Sequence, residues 1–102
     1  MALRPLAAED ITVSSSAIGF TAANIPPTNT KVVLARVQHK SGGNAWYRSD
    51  ADPVTAGNAG EFDFRQFDEI EVWGDKALNT TKWIKQSGES DATLAVQYFG
   101  EG

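Results

Sequence analysis

Apolar and polar residues alternate with a period of two along most of this chain. In "TKVVLARVQH", Val33, Ala35 and Val37 alternate with Leu34, Arg36 and Gln38. In "EFDFRQF", Phe62 and Phe64 alternate with Glu61, Asp63 and Arg65, and in "DEIEVWG", Ile70 and Val72 alternate with Glu69, Glu71 and Trp73. Ala92, Leu94, Val96 and Tyr98 share one face of "DATLAVQYF". Each pattern puts apolar groups on one side of a pleated strand and polar groups on the other. "NAWYRS" and "TKWIKQ" predict shorter strands filled with β-branched and aromatic residues, as a half-buried pleat favours.

The punctuation agrees with a β fold. "HKSGGNAW" predicts a Ser-Gly-Gly-Asn hairpin turn between two strands. "SDADP", "TAGNAG" and "KQSGESD" are turn and loop material. "WGDKALNTTKW" joins two strands, with "AL" on a single helical turn. Strands thus recur about every ten residues, the spacing of an all-β sandwich or a compact barrel. The N-terminal third reads differently. It is rich in Ala, Ser and Thr and holds Pro5, Pro26 and Pro27. "EDITVSS" and "AIGFTA" predict short strands. "NIPPTNT" must be irregular, because neither proline has the N–H a central strand needs. The expected organisation is an extended N-terminal arm over residues 1–10 and a single β-domain over 11–102.

The chain's 102 residues make one domain, with 41% hydrophobic and 22% charged residues, an ordinary globular composition. It has no cysteine, so neither disulfides nor thiolate metal sites are available to it. Its apolar runs fall far short of a transmembrane span, and "MALRPLAAED" lacks the apolar stretch of a secretory signal. Charge changes the picture more. The net charge is −4, and eight of the 13 acids lie between Asp50 and Asp75 with a single base, Arg65. Nucleic-acid binding calls for the reverse, a basic stripe with interleaved aromatics. An acidic surface suits a basic partner instead.

The densest carboxylate stretch is "WYRSDADPVTAGNAGEFDF", which invites comparison with a calcium loop. Counted from Asp50, Asp52 and Glu61 fall on ligand positions of an EF-hand. Val54 stands where a ligand is needed, Thr55 where a glycine makes the sharp turn, and the flanks alternate as strands. Asp50 and Asp52 read better as Asx-type turn residues beside Pro53. His39, the sole histidine, reads as a surface residue at a strand end, and no nucleophile elbow accompanies it. Glu69 and Glu71 lie on one strand face with Trp73 following, the kind of face a sugar cleft presents, but the strand needs a polar outer face in any case. Trp46, Trp73 and Trp83 could stack on sugar rings, or cap the core or an interface. "NTT" at Asn79 has the form of a glycosylation sequon. No catalytic, metal or cofactor site is expected.

Tyr47-Arg48, Asp52-Pro53, Gly60 and the closing strand from Ala92 to Phe99 together resemble small, cysteine-free structural proteins of tailed bacteriophages. The likeness covers about residues 32 to 99. It departs where Val54 separates Pro53 from Thr55, and where "FRQFDEIEV" replaces a glycine–aspartate. The resemblance implies a non-enzymatic virion β-domain: a capsid decoration (cement) protein on the head surface, made in the host cytoplasm, whose partner is the major capsid protein. A head–tail or tail accessory protein is the nearest alternative, and a carbohydrate-binding β-sandwich module using Trp46, Trp73 and Glu71 the next. A closed symmetric homo-oligomer such as a trimer is the expected form, with no nucleic acid or membrane partner. The expected contact residues are Leu3, Arg4, Pro5 and Leu6 of the arm, Ile25, Pro26 and Pro27 of the proline loop, and the aromatics Trp46 and Trp73.

Overall fold

The computed structural model describes residues 3–49 and 61–101. These form β1 (Arg4–Val13), β2 (Ile18–Gly19), β3 (Val32–Gly42), β4 (Ala45–Arg48), β5 (Phe62–Phe64), β6 (Glu69–Trp73), β7 (Lys82–Lys85) and β8 (Ala92–Gly100). A 3₁₀ turn at Ala22–Asn24 follows β2, and a short helix, α1 (Asp75–Thr80), follows β6. The strands build two antiparallel four-stranded sheets, ordered β1-β8-β3-β6 and β2-β7-β4-β5. Of the two expected all-β architectures, the sandwich is the one formed.

The pairing is that of a long hairpin rolled on itself. β1 pairs with β8, β2 with β7, β3 with β6 and β4 with β5. The β3–β8 and β4–β7 ladders then bind the turns of the roll side by side. This is the strand order of a jelly roll.

Alternation decides what lies between the sheets. Ile11 and Val13, Ala35 and Val37, Val72, Trp83, and Ala92, Leu94, Val96 and Tyr98 all point inward and are buried. Each large side chain removed from water contributes about 1.5–3 kcal/mol. A line of aromatic contacts crosses the core. Phe20 meets Tyr98 at 5.8 Å and Trp83 at 5.3 Å, both edge-on. Trp83 meets Phe64 at 6.3 Å, Phe64 meets Tyr47 at 5.4 Å, and Tyr47 meets Phe62 at 5.6 Å.

Several expectations change. The N-terminal arm is β1, an integral edge strand. Its ladder with β8 runs from Arg4–Gly100 to Val13–Ala92, with a bulge at Leu6. Pro5 is tolerated because this edge needs no donor there. "SGGN" is not a hairpin turn: β3 and β4 belong to different sheets, so the chain crosses from one layer to the other. Gly42 makes that crossing at φ +96°, where a Cβ would stand 2.2 Å from the Asp91 carbonyl oxygen. His39 is not on the surface but fully buried, because β3 continues past it and its side chain shares the inward parity of Val37. Its Nε2–H donates to the Gly43 carbonyl at 2.6 Å, its ring lies 5.9 Å from Phe64, and its Nδ1 has no partner among the described residues. The Asn79 of the sequon uses its side-chain amide to tie α1 to the proline loop, donating to the Pro26 and Asp75 carbonyls at 2.8 Å each.

Candidate functional site

The two flanks of the sandwich differ, and the difference singles out a site. On one flank lie the edge strands β1 and β2. Here the segment from Phe20 to Pro26 folds over the core, burying Phe20, Ile25 and Pro26. A polar latch holds it. The Glu9 carboxylate accepts hydrogen bonds from Thr21 Oγ1 (2.5 Å), Asn24 Nδ2 (2.9 Å) and the Tyr98 hydroxyl. Burial works against ionisation of Glu9, but the donors Thr21, Tyr98 and Asn24 outweigh it and hold the carboxyl below the ordinary value of 4.5. Burial, and then the bond to Glu9, push the Tyr98 phenol up, so it stays a donor.

The latch makes a pH prediction. The folded pKa of Glu9 is depressed, so its contribution is fully present above the unfolded value and is lost as pH falls through the folded one. The stability difference between the native chain and Glu9→Gln should be constant near neutrality and shrink below about pH 4.5, as urea melts across pH would read. A difference that is flat down to pH 3, roughly the lower end of folded carboxyl values, would contradict the latch.

Among the described residues the opposite flank, between the edges of β5 and β6, is open. β5 is the outermost strand of the second sheet, and beside it inward-facing groups such as Phe62 stay exposed. Tyr47, Phe62, Ile70, Val72, Trp73 and Ala77 line an open groove of about 490 Å³, with Ser49 and Glu71 at its rim. Phe62 is 60% exposed although it shares the face of the buried Phe64, and Trp73 is 55% exposed. Phe67, in the turn joining β5 to β6, is 70% exposed and adopts φ 74°. That left-handed conformation is disfavoured for a bulky side chain.

The surroundings are acidic. Asp63, Asp68, Glu69, Glu71 and Asp75 all lie on or beside these edges. Asp63 pairs with Arg65 at 2.6 Å and Glu69 with Arg36 at 3.1 Å. Glu71 has no basic partner among the described residues; it accepts the Trp73 indole N–H at 3.2 Å. Burial, and then the Asp68 charge, raise the Tyr47 phenol.

Trp73 also ends an apolar row on the outer face of the first sheet. The register aligns Pro5 with Phe99, Phe99 with Leu34, and Leu34 with Trp73, so four strands each contribute one apolar residue. Leu34 is only 5% exposed despite facing outward, because its neighbours in the row cover it.

The expected contact residues sort accordingly. Pro5 and Trp73 stand at the two ends of this row. Leu3 and Arg4 are exposed beside Pro5, and Leu6 is half-buried against the core. Ile25 and Pro26 are not available for contact: both are buried under the closed flank, and of these three residues Pro27 is exposed. Trp46 is half-buried and opposes Ile84 on the outer face of the second sheet, so the structure separates it from Trp73 instead of uniting them. Trp83 is in the core, which removes the three-tryptophan platform. Sequence reasoning missed Phe62 and Phe67. Phe62 has the parity of a core residue, yet it is exposed on the edge strand β5. Asp50 and Asp52, the centre of the calcium comparison, lie outside the described residues, and among those described no three His, Asp or Glu side chains form a group that could hold a metal ion.

Comparison with known protein families, curated proteins and solved structures finds no match for this chain.

Proposed function

We propose that the protein is a non-enzymatic virion structural protein, a capsid decoration protein that docks on a phage head shell and stabilises it by burying surface there. The observation that carries this reading is the set of exposed aromatics on one flank: Phe62, Phe67 and Trp73. Exposed aromatics of this kind are the usual anchors of protein interfaces. Phe67 adds weight, because it breaks two folding rules at once, exposing a large apolar ring and holding it in a left-handed backbone. Rules broken together mark contact sites more often than defects. The jelly roll is compatible with the proposal, since viral capsid domains use it, but lectins and cupins use it too, so the fold alone does not decide. The major capsid protein is the proposed partner, and a symmetric oligomer the proposed form.

The test separates folding from docking. Phe67→Asn relieves the left-handed strain and removes the exposed ring, so it should be at least as stable as the native chain, by up to about 1 kcal/mol. The same variant should bind purified heads more weakly. Loss of stability together with unchanged binding would overturn the assignment of Phe67. A strictly monomeric protein that binds oligosaccharides on a glycan array, and no heads, would favour the carbohydrate-binding alternative.

A further inference from the structure

The open flank has a groove and, beside it, the outer edge of β6. β6 pairs with β3, and among the described residues no strand pairs with its other edge. Its side chains alternate: Ile70 and Val72 have the inward parity of the strand, and Glu69, Glu71 and Trp73 the outward one, with Glu71 and Trp73 also bordering the groove. The geometry points to strand addition: an extended segment of a partner protein, alternating apolar residues with lysine or arginine, docks against β6.

The complementarity is specific to that pattern. A strand added to β6 places every second side chain beside Ile70, Val72 and Phe62, where an apolar group fills the groove. The intervening side chains fall next to Glu69 and Glu71, where cross-strand pairing favours the opposite charge. Glu71 has no basic partner to displace, and Glu69 would share its carboxylate with Arg36. Trp73 offers its ring to a guanidinium or ammonium group at the end of the run. A second copy of this chain is a poor occupant. Antiparallel pairing of β6 with itself about Glu71 would set that carboxylate against its own copy, and like charges directly opposite are destabilising. The surplus of carboxylates along this flank also favours encounter with a basic segment.

The inference rests on the shell-docking reading for the source of the segment only, and its chemistry can be tested without shells. The probe is a nine-residue peptide alternating lysine and valine, with a glutamate–valine counterpart as control. Titration into the ¹⁵N-labelled protein, followed by NMR, should shift amides of Glu69–Trp73 and Phe62–Phe64. The lysine peptide should bind at least about tenfold more tightly than the control and weaken as salt rises. Glu71→Lys should weaken it by about tenfold, and Glu71→Gln by less. Equal binding of the two peptides, no binding of either, or shifts confined to another face would overturn the inference. So would a concentration-dependent dimer whose β6 amides are protected, since the edge would then belong to a second copy. Peptide binding without head binding would sink the shell reading and leave the strand-addition site standing. Head binding with no lysine-peptide binding would do the opposite.

Discussion

Replacing Trp83 with alanine should cost about 3–5 kcal/mol, a large share of the stability of a domain this small. The ring is fully buried on β7, an inner strand of the second sheet. Phe20 and Phe64 approach it at 5.3 and 6.3 Å, and Tyr47 at 6.3 Å. Its removal therefore opens a cavity at the junction of three other aromatic rings, which cannot all collapse into it. Trp83→Phe should cost much less, about 1–2 kcal/mol. Part of the reason is volume, and part is that the Trp83 indole N–H has no hydrogen-bond partner among the described residues to lose. Urea denaturation of the two variants would check the order. A loss below about 1 kcal/mol for the alanine variant would mean that the ring does not organise this core.

Gly42→Ala should be nearly as damaging, for a different reason. The residue sits at φ +96°, which costs an alanine about 1–2 kcal/mol by itself. A Cβ there would also stand 2.2 Å from the Asp91 carbonyl oxygen and 2.7 Å from the Ala92 Cα, both backbone atoms that cannot rotate away. The chain crosses between sheets at this point, so relief requires moving β8 or breaking the crossing. A total loss of about 3 kcal/mol or more is expected. Gly88 isolates the backbone part. It has φ +82° but nothing within 4 Å of a built Cβ, so Gly88→Ala should cost only about 1–2 kcal/mol. Equal melting temperatures for the two variants would contradict the close approach at Gly42.

These two residues also show what alternation can and cannot reveal. The parity of Ala92, Leu94, Val96 and Tyr98 is visible in the sequence, and all four are buried as it requires. Parity likewise puts His39 on the side of Ala35 and Val37; reading the strand as ending at His39 hid that. Which sheet a strand joins is another matter. A Ser-Gly-Gly-Asn turn can close a hairpin or cross between layers, and local chemistry is the same for both. The crossing is decided by partners far along the chain, such as Ala92 opposite Gly42. The candidate site suffers most from this limit. Trp73 was legible as an outward aromatic after Glu69 and Glu71. Phe62 was not, because its parity matches the buried Phe64 and its exposure comes from the position of β5 at the edge of its sheet. The left-handed backbone of Phe67 has no signal in a "RQFD" turn, where glycine or asparagine would be the usual occupant. Ile25 failed in the other direction: a residue beside two prolines reads as loop, yet the loop folds inward and is pinned through Pro26 by Asn79.

The open flank with its outward aromatics is the centre of the functional account, and co-sedimentation tests it most directly. On the proposed function, phage heads prepared without this protein would be mixed with the purified protein and with a Phe62→Ser/Trp73→Ser variant, then pelleted. Both residues are largely exposed, so the variant should keep the native fold. The account predicts that the native protein pellets with the heads to a saturating stoichiometry and raises their disruption temperature, as a ligand that binds only the intact state must. The variant should stay largely in the supernatant. Native protein that remains in solution at every concentration, or a variant that pellets as well as the native chain, would contradict it.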